Sequence, residues 1–265
     1  MKNIYFFRSL FTFLLLILPG ASFAQGTLRF EANGEDFVRQ GFTSKDGWQI
    51  NLEHVYVNLS NIRAYQTNPP YEAEAELTQA SIMVGLAGVY LIDLAEGDED
   101  AAPIVVGSAE AAEGFYNALS WQIAPVENES IKLEGTASKD NESISFVIAT
   151  NQLFDYSCGT FIGDERKGIV TSGAESVTEM TFHLDHLFGD AELAQDDSLN
   201  EGALGFDPFA ALAQDGQVRL ENEQLGLQLS EQDYRKLSEG ILPNLGHVGE
   251  GHCFEQLSQQ RAADN

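Results

Sequence analysis

The sequence predicts an all-β protein, an antiparallel β-sandwich followed by a small helical C-terminal region. Short segments in which apolar and polar residues alternate follow one another from Thr27 onward, and turn-rich stretches separate them. No regular alternation of strand and helix is present in this pattern. The chain has 265 residues, of which 43% are apolar, so it can bury a sizeable core and is not a disordered protein.

The first 24 residues have the features of a secretory signal peptide. Lys2 and Arg8 provide a positively charged start, residues 10–18 form a short apolar run, and Ser22 and Ala24 supply small residues before a cleavage site. The apolar run is shorter than the roughly 20 residues of a membrane span. We therefore expect cleavage before Gln25 and a soluble mature protein, periplasmic or secreted, that does not insert into a membrane.

The predicted strands define a β-sandwich domain over residues 25–190. The first strand places Leu28, Phe30 and Ala32 on one face. In the long strand or hairpin arm over 48–65, the apolar positions change phase near His54, which predicts a β-bulge. The remaining predicted strands span 81–94, 104–106, 115–123, 131–136, 144–154 and 177–187.

Residues 191–265 are predicted to form an acidic loop and a helical appendix that packs on the sandwich. Asp207-Pro208 can begin a short helix. Ser230 followed by Asp233 resembles a capping box, which indicates the start of a second helix.

The chain is strongly acidic, with 41 acidic and 14 basic residues and a net charge of −27. Such a charge excludes nucleic acid as a partner, because the field of the whole molecule repels phosphates. A charged surface keeps an exported protein soluble, and it also concentrates divalent cations near any site able to ligate them.

Two cysteines, Cys158 and Cys253, are present. An even count in an exported chain favours one disulfide, which would tie the C-terminal tail to the middle of the domain. The alternative is that Cys253, which follows His252, is a metal ligand.

Four of the five histidines lie in two clusters that could ligate a metal ion. His183, Asp185 and His186 lie at the end of a predicted strand, and His247 and His252 lie in a glycine-rich tail. Imidazole nitrogen and carboxylate oxygen together suit zinc, copper or iron better than calcium. Exposed or purely structural roles for both clusters remain open at this point.

Whether the two clusters meet depends on the topology. If strand 177–187 forms a hairpin with strand 144–154, the disulfide at Cys158 brings His252 to the end far from His183, roughly 20 Å away. The clusters meet if the loop over 156–176 folds back along the sheet.

Four short stretches carry a resemblance to a known family: GTLRF at 26–30, VYVNLSNI at 55–62, YLIDL at 90–94 and GFYNAL at 114–119. Together they resemble the strand order of MbnP-like periplasmic proteins, which are β-sandwiches associated with copper. The resemblance covers roughly residues 26–187, and the family's usual aromatic-rich segment is not found after Trp121. The resemblance implies an exported β-sandwich protein that is associated with a transition metal. It does not identify any residue of this chain as a metal ligand.

Two classes of function follow from these patterns. In the first, the protein binds a transition metal (copper, zinc or iron) without catalytic turnover. In the second, it is a binding module that recognises another exported protein or a glycan through exposed aromatic residues such as Trp48, Tyr65 and Tyr71. An enzyme is not predicted, because the sequence contains no phosphate-binding loop or nucleophile elbow, and no acid–base pair can be singled out among so many carboxylates.

Overall fold

A computed structural model describes residues 25–68, 70–71 and 80–255, and the predicted signal peptide lies outside these residues. Strands account for 49% and helices for 18% of the described residues. The prediction of an all-β, sandwich-like protein is confirmed.

The described strands are numbered in chain order. They are β1 (Gln25–Asn33), β2 (Phe42–Thr43), β3 (Gln49–Thr67), β4 (Ala80–Gly85), β5 (Val89–Asp93), β6 (Ile104–Ala112), β7 (Gly114–Phe115), β8 (Ala118–Ile123), β9 (Ile131–Lys139), β10 (Glu142–Thr150), β11 (Phe154–Cys158), β12 (Ile169–Val170), β13 (Glu175–Phe182), β14 (Gln217–Glu221), β15 (Gly246–Val248), β16 (Gly251–His252) and β17 (Phe254–Glu255).

The helices are short. They are α1 (Glu35–Gln40), α2 (Asp185–Phe188), α3 (Ser198–Gly202), α4 (Asp207–Ala210), α5 (Glu223–Gln228) and α6 (Glu231–Arg235), and α6 continues into a π-helical segment (Lys236–Ile241) and a 3₁₀ turn (Leu242–Asn244).

Two sheets enclose a common core. The smaller sheet has the order β16-β15-β13-β1-β6, and the larger has the order β14-β10-β9-β3-β8-β11-β17, with β2, β4 and β5 also paired to β3. Leu28 and Phe30 of the smaller sheet and Ile50 of the larger are fully buried in one hydrophobic cluster. The ring of Trp121 in β8 meets that of Phe182 in β13 at 6.3 Å, so the inner faces of the two sheets pack against each other.

Most strand pairs are antiparallel, as predicted, and two are parallel. Strand β1 pairs with β13 in parallel, and β10 pairs with β14 in the same way. The predicted bulge in β3 is present, because its register with β9 shifts between Leu52 and His54.

The hairpin considered for strand 177–187 does not form. Strand β10 lies between β9 and β14 in the larger sheet, whereas β13 lies between β1 and β15 in the smaller one. The predicted strand is also too long, because β13 ends at Phe182 and helix α2 begins at Asp185. In this arrangement the end of β13 lies next to the C-terminal tail.

The chain after residue 190 contains the predicted helices and also strands that join both sheets. Helix α4 begins at Asp207, and the Ser230 side chain accepts a hydrogen bond from the Asp233 amide, as a capping residue does. Strands β14 and β17 extend the larger sheet, and β15 and β16 extend the smaller one. Within the described ranges, no helix is long and apolar enough to cross a membrane.

Two of the three aromatic residues predicted as exposed contacts are buried. Trp48 retains 3% and Tyr65 retains 8% of its accessible surface. Trp48 packs on Phe206 and donates its indole hydrogen bond to Asp207, and Tyr65 bonds Ser120. Their apolar area belongs to the interior and does not serve as a docking face.

Candidate metal centre

The end of β13 and the strand β15 bring the two histidine clusters together. Thr181 lies opposite His247 and Phe182 opposite Gly246 in this antiparallel pair. The chain then continues through His183, whose amide bonds the Leu245 carbonyl at 3.1 Å. The two clusters therefore meet at one edge of the smaller sheet.

The tail is fixed in place by the turn between β15 and β16. Gly249 has a φ of +60°, and a Cβ there would lie 2.0 Å from the Ile162 carbonyl oxygen, so the turn needs glycine. The Gly249 amide bonds Thr181 Oγ1, and backbone bonds join Ile162 to Val248 and Glu250. Beyond β16, Cys253 forms the predicted disulfide with Cys158.

The disulfide settles the role of the two sulfurs. Among the described residues no cysteine is free, so Cys253 is not a metal ligand. The cross-link joins the tail to β11. Strand β17, which begins directly after Cys253, pairs with β11.

Four imidazole rings form a compact group at this edge. The rings of His183 and His247 stack with centroids 4.0 Å apart, and those of His186 and His247 meet edge to face at 5.0 Å. His252 lies opposite His247 in the β15–β16 pair, with ring centroids 4.5 Å apart. His183, His186 and His247 each offer one ligand atom, and these atoms lie within 4.8 Å of one another.

Hydrogen bonds to backbone carbonyls determine which ring nitrogen is protonated in three of these histidines. His183 Nε2 donates to the Gly249 carbonyl at 3.2 Å, and His186 Nδ1 and His247 Nε2 both donate to that of Asn244, at 3.0 and 3.1 Å. A carbonyl oxygen only accepts, so in the neutral ring the other nitrogen carries a lone pair. Such outer contacts fix the orientation of metal-ligating histidines.

Burial keeps the inner histidines neutral. Burial, followed by the charges of the neighbouring His183, His186 and His252, lowers the pKa of His247 from 6.5 to about 3. Burial likewise lowers the pKa of His183, against the opposing charge of Asp185. His247 is 2% exposed, and its Nδ1 atom finds no hydrogen-bond partner among the described residues.

Two carboxylates lie beside the histidines. Asp185 acts electrostatically on His183, and its buried Oδ1 atom lacks a hydrogen-bond partner within the described part of the chain. Glu35 Oε1 lies 3.5 Å from His183 Nε2. Burial, followed by the charges of Asp185 and Glu250, raises the pKa of Glu35 to about 7.

Glu35 was not among the predicted site residues. It lies at the start of α1, with a φ of +62°, and its amide donates to the Asn33 side chain. No local pattern marks it, because its neighbours Asp36 and Phe37 belong to an ordinary amphipathic turn. Only the parallel pairing of β1 with β13 brings it next to His183.

The cluster is wider than a closed metal site. Metal–nitrogen bonds of about 2.0–2.1 Å in a tetrahedron place neighbouring nitrogens roughly 3.4 Å apart. The ligand atoms of the three histidines lie within 4.8 Å, so an ion would draw them inward. His54, the remaining histidine, lies elsewhere and pairs with Asp93 at 2.7 Å.

No known protein family, curated protein or solved structure matches this chain.

Proposed function

We propose that this protein is an exported protein that binds one transition-metal ion, copper or zinc, without catalytic turnover. Its ligands are His183, His186, His247 and His252, with Asp185 beside them. The observation that carries the proposal is the convergence of three imidazoles, each of which has one ring N–H held by a backbone carbonyl.

The energetics of the cluster favour an ion over a purely structural role. An unpaired buried polar atom typically costs about 1–3 kcal/mol. His247 Nδ1 and Asp185 Oδ1 are two such atoms within the described residues. A bound metal ion would accept the lone pairs of these atoms.

The donor set favours copper or zinc. Imidazole nitrogen suits both ions, whereas calcium and magnesium prefer oxygen ligands. The lowered pKa values of His183 and His247 keep both rings neutral, which is the form that binds metal. The net charge of −27 supplies a field that attracts cations to the molecule.

The predicted signal peptide and the disulfide support an oxidising compartment for this activity. The alternative role in partner or glycan recognition has less support, because Trp48 and Tyr65 are buried and Tyr71 is only partly exposed.

Metal content tests the proposal directly. The protein is produced by export, without a histidine tag, and its zinc and copper are measured by elemental analysis and by calorimetric titration. We expect one tightly bound ion per chain, unaffected by moderate salt. Several weak ions that are lost as salt is raised would indicate binding by surface carboxylates and would contradict the proposal.

The matched control is His54→Ala. His54 lies on β3, apart from the cluster, and is paired with Asp93. This variant should retain the full stoichiometry, because it removes an imidazole without touching the four clustered rings.

A further inference from the structure

A pocket opens on the exposed side of the histidine cluster. It has a volume of about 370 Å³, at the small end of the range for ligand sites. Its lining includes the imidazoles of His186 and His252 and the apolar side chains of Leu199 and Ile241. An ion held by the cluster would thus have one side facing this cavity.

The walls of the pocket are fixed by polar contacts outside it. The Nζ atoms of Lys45 and Lys236 both donate to the Ala203 carbonyl, which caps the end of α3. Asn200 of α3 is buried and exchanges hydrogen bonds with the backbone of Asp190. The pocket therefore has a preformed wall.

The π-helical segment Lys236–Ile241 also lines the pocket, through Gly240 and Ile241. Single π-helical turns are rare in proteins and are frequent at functional sites. Gly240 and Gly202, which both line the pocket, have open space at the Cβ position. These glycines widen the pocket where side chains would narrow it.

The lining groups define the chemistry of an occupant. Among the described residues, none with a permanent charge lines the pocket, although the protein is strongly acidic. Apart from the two imidazoles, its polar groups are the Ser198 hydroxyl and the Asn244 amide. Such a site favours a small neutral molecule with an apolar part.

We infer that the pocket binds a small neutral molecule that carries one unprotonated nitrogen donor and an apolar body of a few carbons. The donor takes a fifth position on the copper(II) ion, beside His252, and the apolar body packs on Leu199 and Ile241. This inference rests on the proposed metal site, and it adds a ligand class that the four histidines alone do not specify.

The test compares two probes with the same donor, imidazole and 1-butylimidazole, on the copper(II)-loaded protein. Binding is followed by the visible and paramagnetic resonance spectra of copper, and bound copper is measured separately by dialysis. Each buried methylene contributes about a fourfold gain in affinity. We expect 1-butylimidazole to bind at least about tenfold more tightly than imidazole, since part of the chain is buried.

Gly240→Phe and Gly202→Phe should each remove this gain and leave copper affinity unchanged, because they fill the pocket without touching a ligand. The control Leu227→Phe adds similar bulk at a residue 80% exposed on α5 and should behave as the unmodified protein. Two independent pocket variants guard against misfolding of either one.

The outcomes separate the two proposals. A protein that fails to retain copper contradicts the metal site itself. If the protein retains copper but binds both probes equally, or binds neither, the pocket inference alone is overturned. The same holds if both phenylalanine variants still prefer 1-butylimidazole.

Discussion

The imidazole rings of His183 and His247 stack in parallel, with centroids 4.0 Å apart. Each ring donates its Nε2 proton to a different backbone carbonyl, so both are held in one tautomer. A proton on either ring would place a charge in a buried position beside the other ring. This relationship makes the metal-free protein sensitive to acid.

We expect the metal-free protein to lose stability as the pH falls below about 6.5. The pKa of His247 is lowered to about 3 by burial, so the unfolded chain takes up a proton first. The stabilising contribution is present above pH 6.5 and decreases as the pH falls toward 3. Between pH 6.5 and 4 the loss should be on the order of 3 kcal/mol, and His247→Gln should reduce it, as measured by urea unfolding.

His54→Gln is the control for this experiment. The hydrogen bond to Asp93 raises the pKa of His54, so its contribution is present at low pH and lost as the pH rises. His54→Gln should therefore lower the free energy of unfolding more at pH 5 than at pH 8. This trend is opposite to the one expected for His247→Gln. Identical pH profiles for His247→Gln and the unmodified protein would contradict the buried neutral state of His247.

Glu35→Gln should stabilise the metal-free protein at alkaline pH. Burial raises the pKa of Glu35 from 4.5 to about 7, so the stability it contributes is complete below pH 4.5 and is lost as the pH rises through 7. Glutamine resembles the protonated form at every pH. We expect the variant to be more stable at pH 8.5 by on the order of 2 kcal/mol, and nearly equal at pH 5.

Asp36→Asn, at the exposed neighbouring position, is the matched control and should produce a smaller change. An equal gain from both variants would mean that general surface charge, and not the burial of Glu35, governs the effect.

Removal of the disulfide should lower the free energy of unfolding by about 3–5 kcal/mol, because a cross-link between residues so far apart restricts the unfolded chain strongly. The sequence separation of Cys158 and Cys253 is 95. The double variant Cys158→Ser, Cys253→Ser is compared with the unmodified protein by urea unfolding. Mass spectrometry of non-reduced peptides verifies the link, and an unchanged unfolding midpoint would refute this prediction.

Gly249→Ala should weaken metal binding by at least about tenfold. The new Cβ would meet the Ile162 carbonyl oxygen, so the turn that holds the Gly249 carbonyl against His183 must shift. Gly173→Ala is the control, because it also has a positive φ, +72°, but nothing within 4 Å of the added carbon. It should cost only about 1 kcal/mol in stability and leave the affinity intact. Equal affinities for both variants would show that the turn does not position the site.

The local features of the fold could be predicted from the sequence. The phase change near His54 marks the bulge, and Ser230 with Asp233 marks a helix start, because both depend on neighbouring residues. The cysteine count correctly indicated the disulfide. Strand partners depend on distant residues, so neither the parallel β1–β13 pair nor the failure of the hairpin could be predicted.

The same limit applies to the candidate site. The sequence singled out His183, His186, His247 and His252 by type and local density, but their meeting depends on the β13–β15 pair. Glu35 reaches the site through a left-handed backbone conformation and a distant strand pairing, and neither leaves a mark in the local pattern. Trp48 and Tyr65 are buried, although the sequence predicts them at the surface. Burial also depends on contacts with residues that are distant in the sequence.

The most direct test of the central claim is whether the two histidine pairs belong to one metal site. Zinc or copper titrations of the unmodified protein are compared with those of His183→Ala, His186→Ala and of His247→Ala, His252→Ala at moderate ionic strength. Because each double variant removes half of a site that typically has four ligands, we predict that either one abolishes the tight phase. Full stoichiometry and affinity in both variants would contradict a shared histidine site, and so would halved stoichiometry with unchanged affinity in each.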